Sequence, residues 1–568
     1  MHYGIRKVQA VLGHTKPLAS SAESNRTQSH NRLLNVLGIG FGLALTVAAT
    51  IGVGILRTPV EIAAYLPIPL LFMGVWILGG LYSLLGAAQV AELGTALPRS
   101  GGFYVFTRRA LGPYAGFVVG WSDWLSSCGS LASAGIVLGE YLAALFPALS
   151  NYVPHIAVST VLLFSALQWR GVRMSSGTQQ ITTLLKALVF IGLIVAIFTL
   201  GGQAHEATST QPAPQTSMSL LLFAPLILAM QSVIFTYDGW YGVIYCSEEM
   251  RNGERTIPRS IFGGVLSVIA IYLLFNIALI YVLPLSALAG EKLAAAAAAR
   301  AIFGSRGDTI ISAVAAVSML SSINAFQIGA SRVLFAMSRD GLFTQKAARV
   351  SEAGTPRGAL LVSTIVAVLF IILSGTFARV LAMVSFFFVA NYAMTYLSVF
   401  ILRKREPELP RPYRAWGYPW TTALALLGSI AFLAGSVKSD TENSIYALIM
   451  LAASYPVYLL IMSKNRTKKR ALLAFASGSA ITSLPLLVLL VLKVSLLALK
   501  IFHYSDALDR TTFLDRTTLW IVFWPMAITW FILPRSTPMS VNITVGIIFT
   551  VLLYSSVIYL LMKWRGKP

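Results

Sequence analysis

The sequence predicts an all-α integral membrane protein, and three observations carry that prediction: long uncharged runs, low charge content and alternating basic loops. Of the 568 residues, 56% are hydrophobic and 11% charged, against about 25% charged in a typical soluble domain. Runs such as 361–373, 424–435 and 543–562 hold no charged residue. A helix needs about 20 residues to cross the bilayer core, and runs of that kind fill the chain. Soluble burial cannot account for so many.

The net charge of +22 is distributed as loops of a membrane protein rather than as a nucleic-acid surface, since no soluble module carries a basic face with interleaved aromatics. Arg99, Arg108 and Arg109 lie in one loop, Arg170 and Arg173 in another, and Arg251, Arg255 and Arg259 in a third. Arg332, Arg339, Lys346, Arg349 and Arg357 follow, then Arg403, Lys404, Arg405, Arg411 and Arg414, then Lys464, Arg466, Lys468, Lys469 and Arg470. The intervening stretches 66–69, 146–154 and 201–216 have no Lys or Arg. This asymmetry predicts a multi-pass protein of the inner (cell) membrane with a cytoplasmic N-terminus. Lys292, Arg300 and Arg306 break the pattern by sharing a loop expected outside.

Spans are expected near 35–64, 67–95, 110–147, 153–169, 175–200, 219–247, 258–284, 307–338, 358–375, 379–402, 417–437 and 443–462. Further apolar runs cover 471–499, 517–534 and 541–562. The domain division is a flexible cytoplasmic tail (1–31), a first five-span block (32–205), a second (206–405), two more spans (406–463) and an additional membrane region (464–568). The basic residues Lys563, Arg565 and Lys567 favour an even span number, which two extra spans satisfy and three do not. The two cysteines, Cys128 and Cys246, offer no disulfide framework.

Two spans are interrupted. The first carries Thr50-Ile51-Gly52-Val53-Gly54-Ile55 and the sixth Phe235-Thr236-Tyr237-Asp238-Gly239-Trp240. They open the two five-span blocks, and matched interruptions point to a transport site between inverted repeats. Glycines in membrane helices also serve close packing, a reading the paired positions weaken. A break leaves backbone groups unpaired at several kcal/mol each. Free N–H groups at Gly52, Val53, Gly54 and Ile55, with the positive helix end, suit a carboxylate. Free carbonyls at the end of the upstream half, near Ala49, Thr50 and Ile51, and at Phe235, Thr236 and Tyr237 suit an ammonium group. An α-amino acid carries both. Phe235, Tyr237 and Trp240 are candidates for closing the site, and Gly239 for its backbone. Asp238 is expected to cap the helix that resumes after it, with a ligand amine as the alternative. Asp123 either lines the pathway or pairs with a basic neighbour. Ser127 and nearby small residues leave room for a substrate side chain or pack a helix contact.

Several ordered motifs resemble amino-acid permeases. Pro98-Arg99-Ser100-Gly101-Gly102-Phe103-Tyr104 and Leu111-Gly112-Pro113-Tyr114-Ala115-Gly116-Phe117 resemble the second-to-third-span signature. The 235–240 break, with Glu248-Glu249-Met250-Arg251-Asn252 and Arg255-Thr256-Ile257-Pro258-Arg259, resembles the sixth span and its loop. Arg332-Val333-Leu334-Phe335-Ala336-Met337-Ser338-Arg339-Asp340-Gly341, and the run from Leu402 to Tyr413, resemble the ends of the eighth and tenth spans. Residues 35–462 thus look like the amino acid–polyamine–organocation superfamily, nearest its L-type amino-acid transporter branch. The resemblance implies two inverted five-helix repeats with discontinuous first and sixth spans, and alternating access. Phe103 departs from it, standing where the family often has an acid.

The resemblance also assigns Lys186, in an otherwise apolar fifth span, to the place of a bound sodium ion. It implies that the ammonium bridges carbonyls near Gly52 to acceptors such as Ser321, Ser322 or Asn324, making the protein sodium-independent. Snorkelling to the headgroups is the competing account.

The function expected is therefore a secondary amino-acid transporter, an exchanger or a proton symporter, with an amine or polyamine carrier and a flux-free amino-acid sensor as alternatives. The expected partners are the amino-acid substrate, the lipid bilayer and protons, with no nucleic acid. Neither a phosphate-cradling glycine-lysine loop nor metal-ligand spacing among the six histidines is present in the sequence. No cofactor, metal or enzymatic activity is expected.

Overall fold

The computed structural model describes residues 33–52, 54–201, 223–291, 293–374 and 377–439, with scattered positions from 444 to 461. The expected tail at 1–31, the region 464–568, Val53 and most of the twelfth span lie outside the described residues.

The chain is a succession of helices. The first span is α1 (Ile39–Thr50) and α2 (Gly54–Tyr65), and α3 (Pro69–Ala96) is the second. A short α4 (Phe103–Leu111) precedes α5 (Pro113–Leu145), then α6 (Val153–Trp169) and α7 (Val172–Leu200). The second block runs through α8 (Phe223–Thr236), a 3-10 segment (Gly242–Glu249), α9 (Gly253–Val282), and two short helices, α10 (Leu285–Ala289) and α11 (Ala294–Phe303). It closes with α12 (Gly307–Arg339), α13 (Arg357–Ser374) and α14 (Phe377–Arg405), and α15 (Trp420–Ser439) follows. Eight described helices are long and apolar enough to cross a membrane. The pair α1 and α2, bent by 44° at its break, makes a ninth.

The local signals are visible in the sequence. Proline stands in the first turn of α3, α5 and α6, where its missing N–H costs nothing. Gly112 precedes α5 at φ +95, a turn that a side chain would strain. The two blocks repeat in length. Helix α5 has 33 residues and α12 has 33; α7 and α14 have 29 each; α6 has 17 and α13 has 18.

Helix α7 shows how one sequence serves two solvents. Ile181, Leu184 and Leu188 are 70%, 62% and 58% exposed, while Thr183, Lys186 and Phe190 on the other face are buried. Spacings of three and four residues put each set on one side. The exposed side is apolar, as lipid requires.

Among the described residues, several basic loops meet at one end of the bundle, where arginines meet acids. Arg332 forks onto the buried Glu249 at 3.0 and 3.1 Å. Arg339 holds Glu248, and Arg99 and Arg108 share Asp340. Glu92 takes Arg403 and Arg411. Residues 33–38 lie across this end. Leu37 donates to Glu249 O at 2.9 Å and accepts from Arg251 N at 2.8 Å. Farther out, Arg109 meets Glu406, a hydrogen bond that raises the guanidinium's proton affinity further. The anomalous Arg300 is matched locally by Glu291 and Asp308, so it contributes little net positive charge to its loop.

Candidate substrate site at two helix breaks

Helix α1 stops because Ile51 turns extended (φ −76, ψ 97) after its N–H makes a last bond to Val47 O. Helix α2 resumes at Gly54, and its first N–H groups have no intrahelical partner. A side chain built on Gly52 would meet nothing within 4 Å, so the peptide there faces open space. Gly54 is different, since a Cβ there would lie 3.2 Å from Thr236 of α8.

Helix α8 stops at Thr236, and Gly239 follows at φ +102. A Cβ on Gly239 would stand 2.6 Å from Ala49 C and O and 2.9 Å from Thr50 N. The two breaks therefore touch, peptide against peptide, and only glycine permits it. Tyr272 of α9 reinforces the contact, its hydroxyl lying 2.9 Å from Thr50 O and 3.0 Å from Thr236 O. Thr236 also bonds Thr58 of α2 at 2.7 Å.

Lys186 is fully buried. Its Nζ donates to Ala48 O at 3.1 Å, Ile51 O at 2.5 Å and Ser322 Oγ at 2.9 Å. Ser322 donates in turn to Ala48 O at 2.9 Å. An ammonium has three protons, and each finds an acceptor. The side chain thus ties α7 to the broken end of α1 and to α12. Ser321 and Asn324 lie near but serve other contacts. Ser321 donates to Ser318 O within its own helix. Asn324 donates to Ser175 O and Gln179 Oε1, and accepts from Gln168.

Tyr237 is buried against Trp76 and Tyr272, with ring centroids 6.1 and 5.0 Å away. Phe235 is half-buried, and Trp240 packs on Tyr241 and Tyr392. Ser127 is buried on α5. Phe103 joins the aromatic group, 4.6 Å from the Tyr241 ring, so an apolar contact fills the position of the family's acid. Asp238 is not the N-cap of the 3-10 segment, a place taken by Tyr241. Its carboxylate is instead met by Tyr392 and, at 3.4 Å, by Tyr241. Asp123 pairs with no base and accepts from Tyr245 at 2.7 Å. Among the described residues, no group of three or more His, Cys, Asp or Glu could hold a metal ion.

The reading from sequence missed Tyr272, Tyr392 and Ser318, the last of which points its hydroxyl to Ile51 O at 3.5 Å. Each is an ordinary residue in an apolar helix, and no local pattern distinguishes it from packing.

Two discontinuous spans meeting inside an all-α bundle define a multi-pass membrane protein of the broken-helix transporter type. The chain belongs to the amino acid permease family, whose profile matches residues 37–455. The serine/threonine exchanger SteT of Bacillus subtilis is 32% identical over 75% of this chain and 97% of its own length. The human b(0,+)-type amino acid transporter 1 is 25% identical over 75% of this chain and 88% of its own. The human Asc-type amino acid transporter 1 is 28% identical over 66% and 73% respectively.

Proposed function

We propose that this chain is a sodium-independent secondary transporter of amino acids, working by alternating access in the cell membrane with its N-terminus in the cytoplasm. The observation that carries the reading is the Lys186 ammonium among Ala48 O, Ile51 O and Ser322 Oγ. A fixed positive charge at that junction does the work of a bound cation, holding the end of α1 on α12 without an ion from solution. The substrate carboxylate then sits on the open peptide at Gly52 and the first N–H groups of α2. Its ammonium takes carbonyls of the two upstream helix ends, which hold a partial negative charge. Phe235 and Tyr237 flank the end of α8 and shape the side-chain end of the site, with Ser127 of α5 assigned to its lining as a small buried residue. Exchange is the favoured mode over proton symport, because a relative at 32% identity is described as an exchanger.

The test is counterflow in proteoliposomes loaded with one amino acid and challenged with a panel of amino acids and amines, with and without sodium. Amino-acid exchange at the same rate in both media is expected. Flux of diamines lacking a carboxylate would establish the amine carrier instead. Binding without flux would establish a sensor, and a sodium requirement would show that Lys186 does not replace the ion.

A further inference from the structure

We infer that Asp123 is a proton-binding site, carrying a proton while the helices around it are packed together and losing it when they part. The inference rests on the transport reading and adds an ion to it. Asp123 is fully buried in the first half of α5. Tyr245 satisfies Oδ1 at 2.7 Å, and Oδ2 meets no hydrogen-bond donor. The buried acids Glu92 and Glu249 are both answered by arginine. A carboxylate left charged with a bare oxygen inside a membrane is costly, and gaining a proton removes that charge.

The packing around Oδ2 selects the proton over larger cations. A Cβ on Gly102 would lie 3.6 Å from Oδ2 and 2.5 Å from Tyr245 Cε1. A Cβ on Gly329 would lie 3.1 Å from the opposite edge of the same ring. The Tyr245 ring is therefore clamped between two glycines over the carboxyl group. A metal ion or an amine would need several more oxygens and room to hold them, whereas a proton needs only Oδ2.

The charged and titratable groups on the elements packed against α5 are committed elsewhere. On the 3-10 segment Tyr241 turns to Asp238, and on α14 so does Tyr392. On α4 Tyr104 and Arg108 bond Asp340, and on α12 Arg332 bonds Glu249. Helices α6 and α13 bring His155 and Arg357 in their first turns, against Tyr152 and Trp169. None donates to Oδ2. The Tyr241 and Tyr245 rings lie 5.9 Å apart, so Asp123 and Asp238 occupy one tyrosine cluster, where a second negative charge is disfavoured. Opening the contact between the 3-10 segment and α5 admits water, and the Oδ2 proton passes to it. Once charged, Asp123 cannot reseal, and the transporter is held out of the packed arrangement.

The experiment measures amino-acid exchange by the reconstituted full-length protein from about pH 6 to about pH 9, for wild type and Asp123→Asn. Above its titration point the protonated form declines about tenfold per pH unit. Wild-type exchange is expected to fall at least tenfold across the range, while Asp123→Asn, always neutral, stays within about twofold of its acid rate. A second measurement needs no transport: the melting temperature in detergent. The folded state binds the extra proton, so wild-type stability falls as pH rises above the ordinary carboxylate range, and Asp123→Asn gains on wild type. An alkaline fall shared equally by both proteins, or parallel melting profiles, overturns the proton site. Absence of wild-type exchange at every pH would count against the transport reading, and the melting profiles would still decide Asp123.

Discussion

The basic end of the bundle and its middle handle buried charge in opposite ways. At the basic end, arginine meets carboxylate: Arg332 on Glu249, Arg403 and Arg411 on Glu92. In the middle, Lys186 is answered by carbonyls and a serine, and Asp123 and Asp238 by tyrosines. An ion pair fixes two elements by mutual attraction, and separating it leaves two costly charges. Carbonyls and hydroxyls are neutral, so an element held by them can leave at lower cost, and carbonyls without an intrahelical partner occur where a helix ends. The difference marks which contacts are costly to separate and which are cheaper.

Breaking the comparison at its strongest point gives the largest effect. Arg332→Ala strands Glu249 without a base, and a loss of about 3–5 kcal/mol is expected, read as a large fall in melting temperature in detergent. Gly239→Ala comes next. Its φ of +102 and the 2.6 Å approach to Ala49 combine roughly 1–2 kcal/mol of left-handed strain with roughly 1–3 of overpacking. The melting curve should move by an amount near that for Arg332→Ala, and transport should fail even when protein reaches the membrane. Lys186→Ala removes the donor from Ala48 O and Ile51 O. Exchange should drop about a hundredfold, equivalent to about 2.7 kcal/mol, with surface expression retained; unchanged uptake would contradict its role. Tyr272→Phe leaves Thr50 O and Thr236 O without their shared hydroxyl, at about 1 kcal/mol. The exposed pair sets the floor: Arg109→Ala, opposite Glu406, should cost less than about 0.5 kcal/mol.

Much of the organisation was legible before any coordinates. Runs of uncharged residues located the helices, and the glycines at 52, 54 and 239 marked the two breaks, because a polar backbone in lipid must either be helical or find a special partner. Lys186 announced itself as one charge in an apolar helix. Its precise partners were less legible: Ser322 was among three candidates, and Ser321 and Asn324 turned out to serve the α12 backbone and the α6–α7 amides. Asp238 was misread as a cap, since sequence shows the carboxylate and the following glycine but not Tyr392, 154 residues away. The Arg300 anomaly needed only its neighbours Glu291 and Asp308, which the sequence had placed within nine residues.

What the sequence determined alone is the set of things local physics enforces: which segments are helical, where they cannot be, and which charges must be buried. Those follow from hydropathy, glycine and proline acting over one or two turns. Tertiary structure decided which peptide groups each buried charge meets, that Gly239 abuts Ala49, and that Asp123 keeps one oxygen bare. Such contacts join residues tens to hundreds of positions apart, and a chain carries no local mark of them.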